Sequence, residues 1–440
     1  MYRYKLNPIY EIIPLEIKIE VEPLNDKGFA DILSISLETL YKLNRAKNRL
    51  NEINSFQWEE IKKITNPYEF IHAFNPKSKY NDSRSVAMLK PLSRSFFKMI
   101  EIIYEFVPHI IENNGANNGA NKMGTKSIIT THIAEGPGGF IEAIRYVRKG
   151  NPNDLAYGMT LVKYDKNEYK NVHVPGWHKS NQFLCNNPEV KILNGADGTG
   201  DIYNIENIKF INNEIKHVIS SRNGGDGGGC MRDSGADIVT ADGGFDFSIE
   251  YNYQEQASCK LIFSQILAAI NCQKKSGTFI CKFFDFNLYF TAEMLYLLYT
   301  LYEHVTIYKP YTSRIANSEK YIVCTNFKGI DESLLNNLFD VLVKWNKYNS
   351  ETNEKNEQNE KNETKKTINR IFVKIPNDFI EKIKLINTEI IDLQIKSINN
   401  SINIIKTKKY ITDIKWYDET IKLQIQNATE WCKKYNIPYR

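Results

Sequence analysis

Several signatures that would classify a chain of 440 residues at a glance are missing. Its seven cysteines (Cys185, Cys230, Cys259, Cys272, Cys281, Cys324 and Cys432) contain no C-x-x-C pair and no zinc spacing. That excludes a zinc ribbon or a disulfide scaffold, and no metal is expected. Cys281 and Cys324 lie inside apolar runs, so the thiols read as reduced core residues of an intracellular protein. Met1 leads into Tyr-Arg-Tyr-Lys, which is not a secretory leader, and no apolar run reaches membrane-spanning length. A strong charge of either sign is lacking too. Lys and Arg number 57 against 52 Asp and Glu, a formal net charge of +5, which permits a nucleic-acid partner without arguing for one.

What is present is organised around residues 127–150. Ser127 to Ile133 is β-branched and apolar, as a buried parallel strand should be. The turn Glu135-Gly136-Pro137-Gly138-Gly139 follows, then Phe140, Ile141, Ile144 and Val147 at helical spacing, with Gly150 as a stop. Strand, glycine turn and helix form the opening of a nucleotide-binding α/β unit, whose ligand packs on bare backbone at the helix N-terminus. The turn lacks G-x-G-x-x-G spacing, and no Lys-Ser/Thr follows it as in a P-loop. The next strand ends in Thr160-Leu161-Val162, without the acid that holds a dehydrogenase's ribose.

Before this unit, Glu11 to Val21 alternates like an edge strand or hairpin arm interrupted by Pro14. Ser36 to Ile64 is helical in pattern, Asn66-Pro67 reads as a helix start, Asn75–Ser83 as a polar loop, and Ser93–Val107 as an amphipathic helix carrying Lys98. Asn-rich or Gly-rich segments at 113–123 and 221–229 and an Asn/Glu/Lys segment at 346–369 read as inserts and linker that cannot repay the entropy of ordering. The Asn and Lys bias suits an AT-rich genome. The expected division is a 1–60 extension, a 61–345 catalytic domain, the 346–369 linker and a 370–440 helical segment packed on that domain.

Strand-like runs follow at Ala156–Val162, Val190–Leu193, Ala236–Ala241, Gly277–Phe284, His304–Tyr308 and Lys320–Thr325, with helical runs Ala257–Asn271 and Leu288–Tyr302 between the later ones. Such alternation predicts a mostly parallel sheet covered on both faces. Only a short loop separates the last two strands, too little for a helical crossover, so the last should run antiparallel to its predecessor. The expected fold is therefore α/β, a class I (Rossmann-like) sheet with a reversed last strand, and that strand turns the reading from a generic nucleotide to S-adenosylmethionine.

The carboxyl ends of the strands should carry the site. Asp242 closes one strand in Thr240-Ala241-Asp242-Gly243-Gly244. Lys282 lies in the apolar run Phe279-Ile280-Cys281-Lys282-Phe283, where a lysine is costly unless paired. Glu319 begins the reversed strand. The bland alternatives are a snorkelling lysine, a turn-forming Asp and a surface Glu. Together the three would form a site in which the lysine, flanked by carboxylates and a second ammonium, serves as general base on a hydroxyl.

Lys98, Asp242, Lys282 and Glu319 resemble the Lys-Asp-Lys-Glu tetrad of the FtsJ/RrmJ-like ribose 2′-O-methyltransferases. Among these, the chain looks most like the eukaryotic and large-DNA-virus mRNA cap-1 (Adrift-type) enzymes. The resemblance rests on ordered blocks across roughly 60–330: Thr65-Asn66-Pro67-Tyr68-Glu69, Phe97-Lys98-Met99, Ala134 to Phe140, Gly158-Met159-Thr160-Leu161, Gly200-Asp201-Ile202, Ala241 to Phe245, Phe279 to Lys282, and Lys309 to Glu319. Trp431-Cys432 to Ile437-Pro438 adds an echo near the C-terminus.

By that resemblance Lys282 is the base, with Lys98, Asp242 and Glu319 as its partners. S-adenosylmethionine would lie on Ser93, Ala134, Glu135, Gly136, Pro137, Gly138, Gly139, Phe140, Asp201 and Ile202. The capped 5′ end of an mRNA would meet Lys62, Asn252, Tyr253, Gln254 and Asn317. Glu135 departs from the small or thiol residue expected there, and would either weaken donor binding or face solvent. Lys63, Lys77, Lys79, Arg84, Lys90 and Arg94, with Phe74 and Tyr80, could line the cleft mouth, and a solvated helix face accounts for them equally well. Other implied partners are capping or transcription proteins, with no membrane. The implied setting is the cytoplasm, a virus factory or virion for a viral protein, or the nucleus for a cellular one. Two other readings stay open: the same chemistry on rRNA or the second cap nucleotide, and a non-catalytic RNA-binding scaffold.

Overall fold

Successive side chains of a strand point to opposite faces of its sheet, so strands buried on both faces must be apolar at every position. The central strands of this chain follow it only in part, for Thr130, Thr131, His132 and Thr240 are buried among their apolar residues. The computed structural model describes residues 1–6, 8, 12–26, 28–72, 85–111, 126–162, 176–222, 234–245, 251–350 and 365–440. In chain order its elements begin with β1 (Tyr2–Lys5), β2 (Ile17–Pro23), α1 (Leu37–Asn48), α2 (Ser55–Ile64) and α3 (Ser95–Phe106). The α/β core follows with β3 (Ile129–Ile133), α4 (Gly139–Val147), β4 (Leu155–Met159), α5 (Asn181–Asn186), β5 (Val190–Ile192), α6 (Ile205–Arg222), β6 (Ala236–Ala241) and α7 (Gln254–Cys272). Then come β7 (Gln273–Phe283), α8 (Tyr289–Leu301), β8 (Tyr302–Lys309), β9 (Lys320–Phe327) and α9 (Glu332–Ser350). The chain closes with β10 (Lys366–Phe372), α10 (Asn377–Lys406), α11 (Lys409–Thr412) and α12 (Ile414–Lys434).

Eight strands form the main sheet in the order β1-β8-β9-β7-β6-β3-β4-β5. The pairs β4–β5, β3–β4, β3–β6 and β6–β7 are parallel, while β9 runs antiparallel to both β7 and β8. The reversed last strand thus lies between β7 and β8. One face buries Val239, Cys281 and Ile322 against α6 to α9, and the other buries Ile238, Ile280, Tyr321 and Val323 against α3, α4 and α12. By the two-residue period, Asp242, Lys282 and Glu319 belong to the face covered by α3. Lys320, one residue out of phase, goes to the opposite face.

Four local readings change. Tyr2–Lys5 is an eighth strand, antiparallel to β8 at the sheet edge. The alternating segment forms β2 from Ile17 onward and pairs with β10 in a separate two-stranded sheet, so Lys366 to Asn369 belong to a strand. Ser36–Ile64 divides into α1, a 3-10 turn at Arg49–Glu52 and α2, which Asn54 caps by accepting from Phe56 N at 2.9 Å. The helix expected after Asn66 is only a 3-10 turn, Glu69–Ile71. The carbonyls of Phe70 and Ile71, which a longer helix would use, instead accept from Val86 N and Ala87 N. The polar loop 75–83, the insert at 113–123, Lys77, Lys79, Arg84, Phe74, Tyr80, Cys230 and most of 221–229 and 346–369 lie outside the described residues.

α12 packs onto α3, with the rings of Phe97 and Trp431 5.8 Å apart. Cys259, Cys272, Cys281, Cys324 and Cys432 are buried free thiols, and Cys185 is exposed. Among the described residues no helix is long and apolar enough to cross a membrane.

Candidate active site

Strand register assembles the site. Ile133 is level with Ala241 and Ala241 with Cys281, so the glycine turn, Asp242 and Lys282 occupy consecutive positions along the carboxyl edge. Lys282 pairs with Tyr321 on β9, which puts Glu319, just before that strand, at the same edge. Neighbouring strands are about 4.8 Å apart, so these groups share one short stretch of the sheet rim. Lys98 reaches it from α3, whose Phe96, Ile100 and Ile103 are buried in the layer over this face.

Lys98 Nζ lies 2.6 Å from Glu319 Oε1, and Lys282 Nζ lies 3.3 Å from Asp242 Oδ1. Lys282 also donates to the Asp242 carbonyl at 2.6 Å. The lysine is not snorkelling, because only 12% of its side chain is accessible. Burial pushes the Glu319 carboxyl up, but the charges of Lys98 and Lys282 outweigh it and hold the group well below the usual range. Gly244 keeps space open at the amine, since a Cβ there would sit 3.0 Å from Lys282 Nζ.

Side chains to which the sequence reading gave no part in the tetrad hold this arrangement. Tyr321 OH donates to Asp242 Oδ1 at 2.9 Å, and Ser313 Oγ to Glu319 Oε1 at 3.1 Å. The buried amine of Lys309 donates to the carbonyls of Asn317 (2.9 Å) and Glu319 (2.6 Å) and to Asn317 Oδ1 (2.6 Å), closing the loop between β8 and β9. Glu101 accepts from Tyr311 N at 2.7 Å and from Thr312 N at 2.9 Å, docking the loop's other half on α3. Lys309 and Lys320 flank apolar strand residues just as Lys282 does, so the signal that singled out Lys282 was available for both.

In the glycine turn Ala134 and Gly138 have positive φ, 55° and 101°. α4 begins there with no side-chain cap. Ser93 lies against Gly139 and its Oγ is 2.5 Å from Ser95 Oγ; Phe140 is buried behind the turn, and the Pro137 carbonyl accepts from Ser180. A Cβ on Gly136 would come 2.6 Å from the Gly176 carbonyl oxygen. Glu135 does not face solvent. It is 4% exposed, accepts from Thr240 Oγ1 and lies 3.3 Å from His132 Nδ1. Desolvation pushes its pKa up, with His132 and Thr240 opposing. One strand over, Val162 N bonds Thr199 O, bringing the Asp201-Ile202 segment to the end of β4. Ile202 is buried, while the Asp201 carboxylate accepts from Tyr203 N at 2.8 Å and burial raises its pKa.

The expected transcript contacts are not drawn into one cluster. Asn317 is tied to Lys309 beside the tetrad. Asn252 donates to Asn48 at 2.7 Å, Tyr253 stacks on Phe29 with centroids 3.9 Å apart, and the carbonyl of Gln254 accepts from Ser258 Oγ within α7. Lys62 is ion-paired with Glu59 on α2, whose Ile61 packs with Ile404 and Ile405 of α10.

The sequence model of the FtsJ-like methyltransferases matches residues 91–327, more than half of the chain, and the chain belongs to that family. Among named proteins, it is 29% identical over 306 residues to cap-specific mRNA (nucleoside-2′-O-)-methyltransferase 1 of Xenopus laevis, covering 69% of this chain and 32% of that protein. The Homo sapiens protein of the same name is 29% identical over 314 residues, 70% of this chain and 33% of the other. That of Trypanosoma brucei brucei is 32% identical over 211 residues, 47% and 48% of the two chains. The match thus spans a third of the vertebrate relatives' length and about half of the trypanosomal one.

Proposed function

We propose that this chain is an S-adenosylmethionine-dependent mRNA cap 2′-O-methyltransferase that acts on the ribose of the first transcribed nucleotide, converting cap-0 to cap-1. The observation that carries the reading is the meeting of Lys98, Asp242, Lys282 and Glu319 at the sheet rim, one strand from a glycine turn. Family membership and the printed names of the relatives support it.

The residues present suit the donor. The uncapped N-terminus of α4 offers backbone N–H groups to its carboxylate, and the Asp201 carboxyl stands one strand away as an acceptor for its hydroxyls. Residues Ala134 to Phe140, with Ser93, Asp201 and Ile202, would hold it. When bound, S-adenosylmethionine supplies a methyl group on a sulfonium that departs as a thioether.

The chain's own part is positioning and one proton transfer. Lys282, as the free amine, accepts the ribose hydroxyl proton on Nζ, and the oxygen forms its new bond to carbon. Asp242, itself fixed by Tyr321, orients that amine. The Lys98–Glu319 pair shapes the other wall and keeps a positive charge beside the developing oxyanion. Gly244 leaves the amine open to an incoming hydroxyl. Asn252, Tyr253, Gln254, Asn317 and Lys62 are the proposed transcript contacts.

Matched capped and uncapped short RNAs, incubated with labelled donor and digested to locate the label, test this reading. It predicts label on the first ribose of the capped RNA alone. Equal labelling of both RNAs contradicts the cap assignment.

A further inference from the structure

Glu69 ends the Thr65-Asn66-Pro67-Tyr68-Glu69 block, for which the transfer chemistry has no use. It is 4% exposed, and its carboxylate is gripped by two guanidinium groups. Arg94 donates to Oε1 at 2.9 Å and to Oε2 at 3.4 Å, and Arg314 to Oε1 at 2.7 Å and to Oε2 at 3.1 Å. Asn66 adds a bond to Oε2 at 2.7 Å. Burial pushes the carboxyl up, but Arg314 and Arg94 outweigh it and bring it down to about 2. Such forked pairs fix direction as well as distance.

The two arginines belong to the two pieces of chain that must meet in the site. Arg94 immediately precedes α3, one turn before Lys98. Arg314 is in the β8–β9 loop, a few residues before Glu319. Glu69 therefore ties together the carriers of Lys98 and Glu319, whose own ion pair spans the same junction. Glu101, one turn beyond Lys98, docks Tyr311 and Thr312 of that loop. Seen along α3, Glu69 is the outermost fastening, and it comes from neither piece.

We propose that Glu69 is a positioning residue: by sharing its carboxylate between Arg94 and Arg314 it sets the alignment of Lys98 with Glu319, and so the geometry of methyl transfer. The proposal rests on the reading of the tetrad as the transfer site. Its rival is that Arg94 and Arg314 exist to hold transcript phosphates, with Glu69 merely spacing them.

The test is Glu69→Gln, with kcat and KM for capped RNA, donor affinity by calorimetry and thermal midpoint all measured. Misalignment predicts a fall in kcat on the order of ten- to a hundredfold, with KM and donor affinity essentially unchanged. In the double variant with Lys98→Ala, no further loss beyond Lys98→Ala alone is expected, because both act on one junction. Additive losses, or a raised KM at unchanged kcat, overturn the proposal, the latter in favour of phosphate contact. Arg314→Lys, which keeps the charge and loses the fork, should give the same kinetic pattern if Glu69→Gln does not fold, and a normal kcat in it overturns the proposal equally. Wild type and Lys282→Ala are assayed alongside. An inactive wild type or an active Lys282→Ala overturns the chemistry itself, whereas a fully active Glu69→Gln beside an inactive Lys282→Ala overturns the clamp alone.

Discussion

A Cβ on Gly139 would lie 2.2 Å from Ser93 Oγ and the same distance from Ser95 Oγ, so the start of α4 is pressed directly against the entry to α3. This glycine is therefore required by packing between helices, not only by a ligand's approach to bare backbone. Gly139→Ala should overpack that junction at a cost of about 1–3 kcal/mol. It should also weaken donor binding, because the turn would be displaced. Thermal unfolding and calorimetry with the donor check this, and an unchanged thermal midpoint would show that α3 can yield.

On the opposite face of the sheet, Asp285 joins Lys47 Nζ at 3.0 Å, Lys320 Nζ at 3.5 Å and Ser318 Oγ at 3.1 Å, with Asp285 and both lysines at most 7% exposed. Burial pushes the Asp285 carboxyl up, but Lys47 and Lys320 prevail and bring it from 3.8 down to about 2. A carboxyl lowered on folding stabilises fully above its unfolded pKa, and the contribution drains away as pH falls through the folded value. Asp285→Asn should therefore cost about 3–5 kcal/mol at neutral pH, because it strands buried ammonium groups. The gap to wild type should shrink as pH falls from 3.8 toward 2. Denaturant unfolding at both ends of that range tests the sign, and a gap that stays constant contradicts it.

The parallel core was legible because burial on both faces favours β-branched and apolar residues, as in Ile129–Ile133 and in Phe279–Phe283 around Lys282. The reversed β9 was legible from a connection too short for a crossover. Tyr2–Lys5 was not, since four residues carry little periodicity and its partner, β8 (Tyr302–Lys309), is distant in the sequence. The pairing of β2 with β10 is hidden for the same reason. Of the two readings of Glu135, the solvent-facing one fails because a carboxylate beside glycines looks solvated until Thr240 of the neighbouring strand and His132 turn up beneath it. Lys282 was singled out correctly as a lysine that needed a partner. The same physical rule applied to Lys309 and Lys320, and only the family's motif order separated the three. The anchoring of the Glu319 loop by Glu101 and Glu69 depends on side chains brought from far along the chain, which no local pattern records.

The most direct measurement is methyl transfer to capped RNA by Lys282→Ala, alongside calorimetric binding of the donor. Removal of the base should lower turnover by on the order of 10²–10⁴, while donor affinity stays at the wild-type value because the glycine turn lies two strands away. Near-normal turnover by this variant would contradict the assignment of Lys282 as the group that takes the ribose proton.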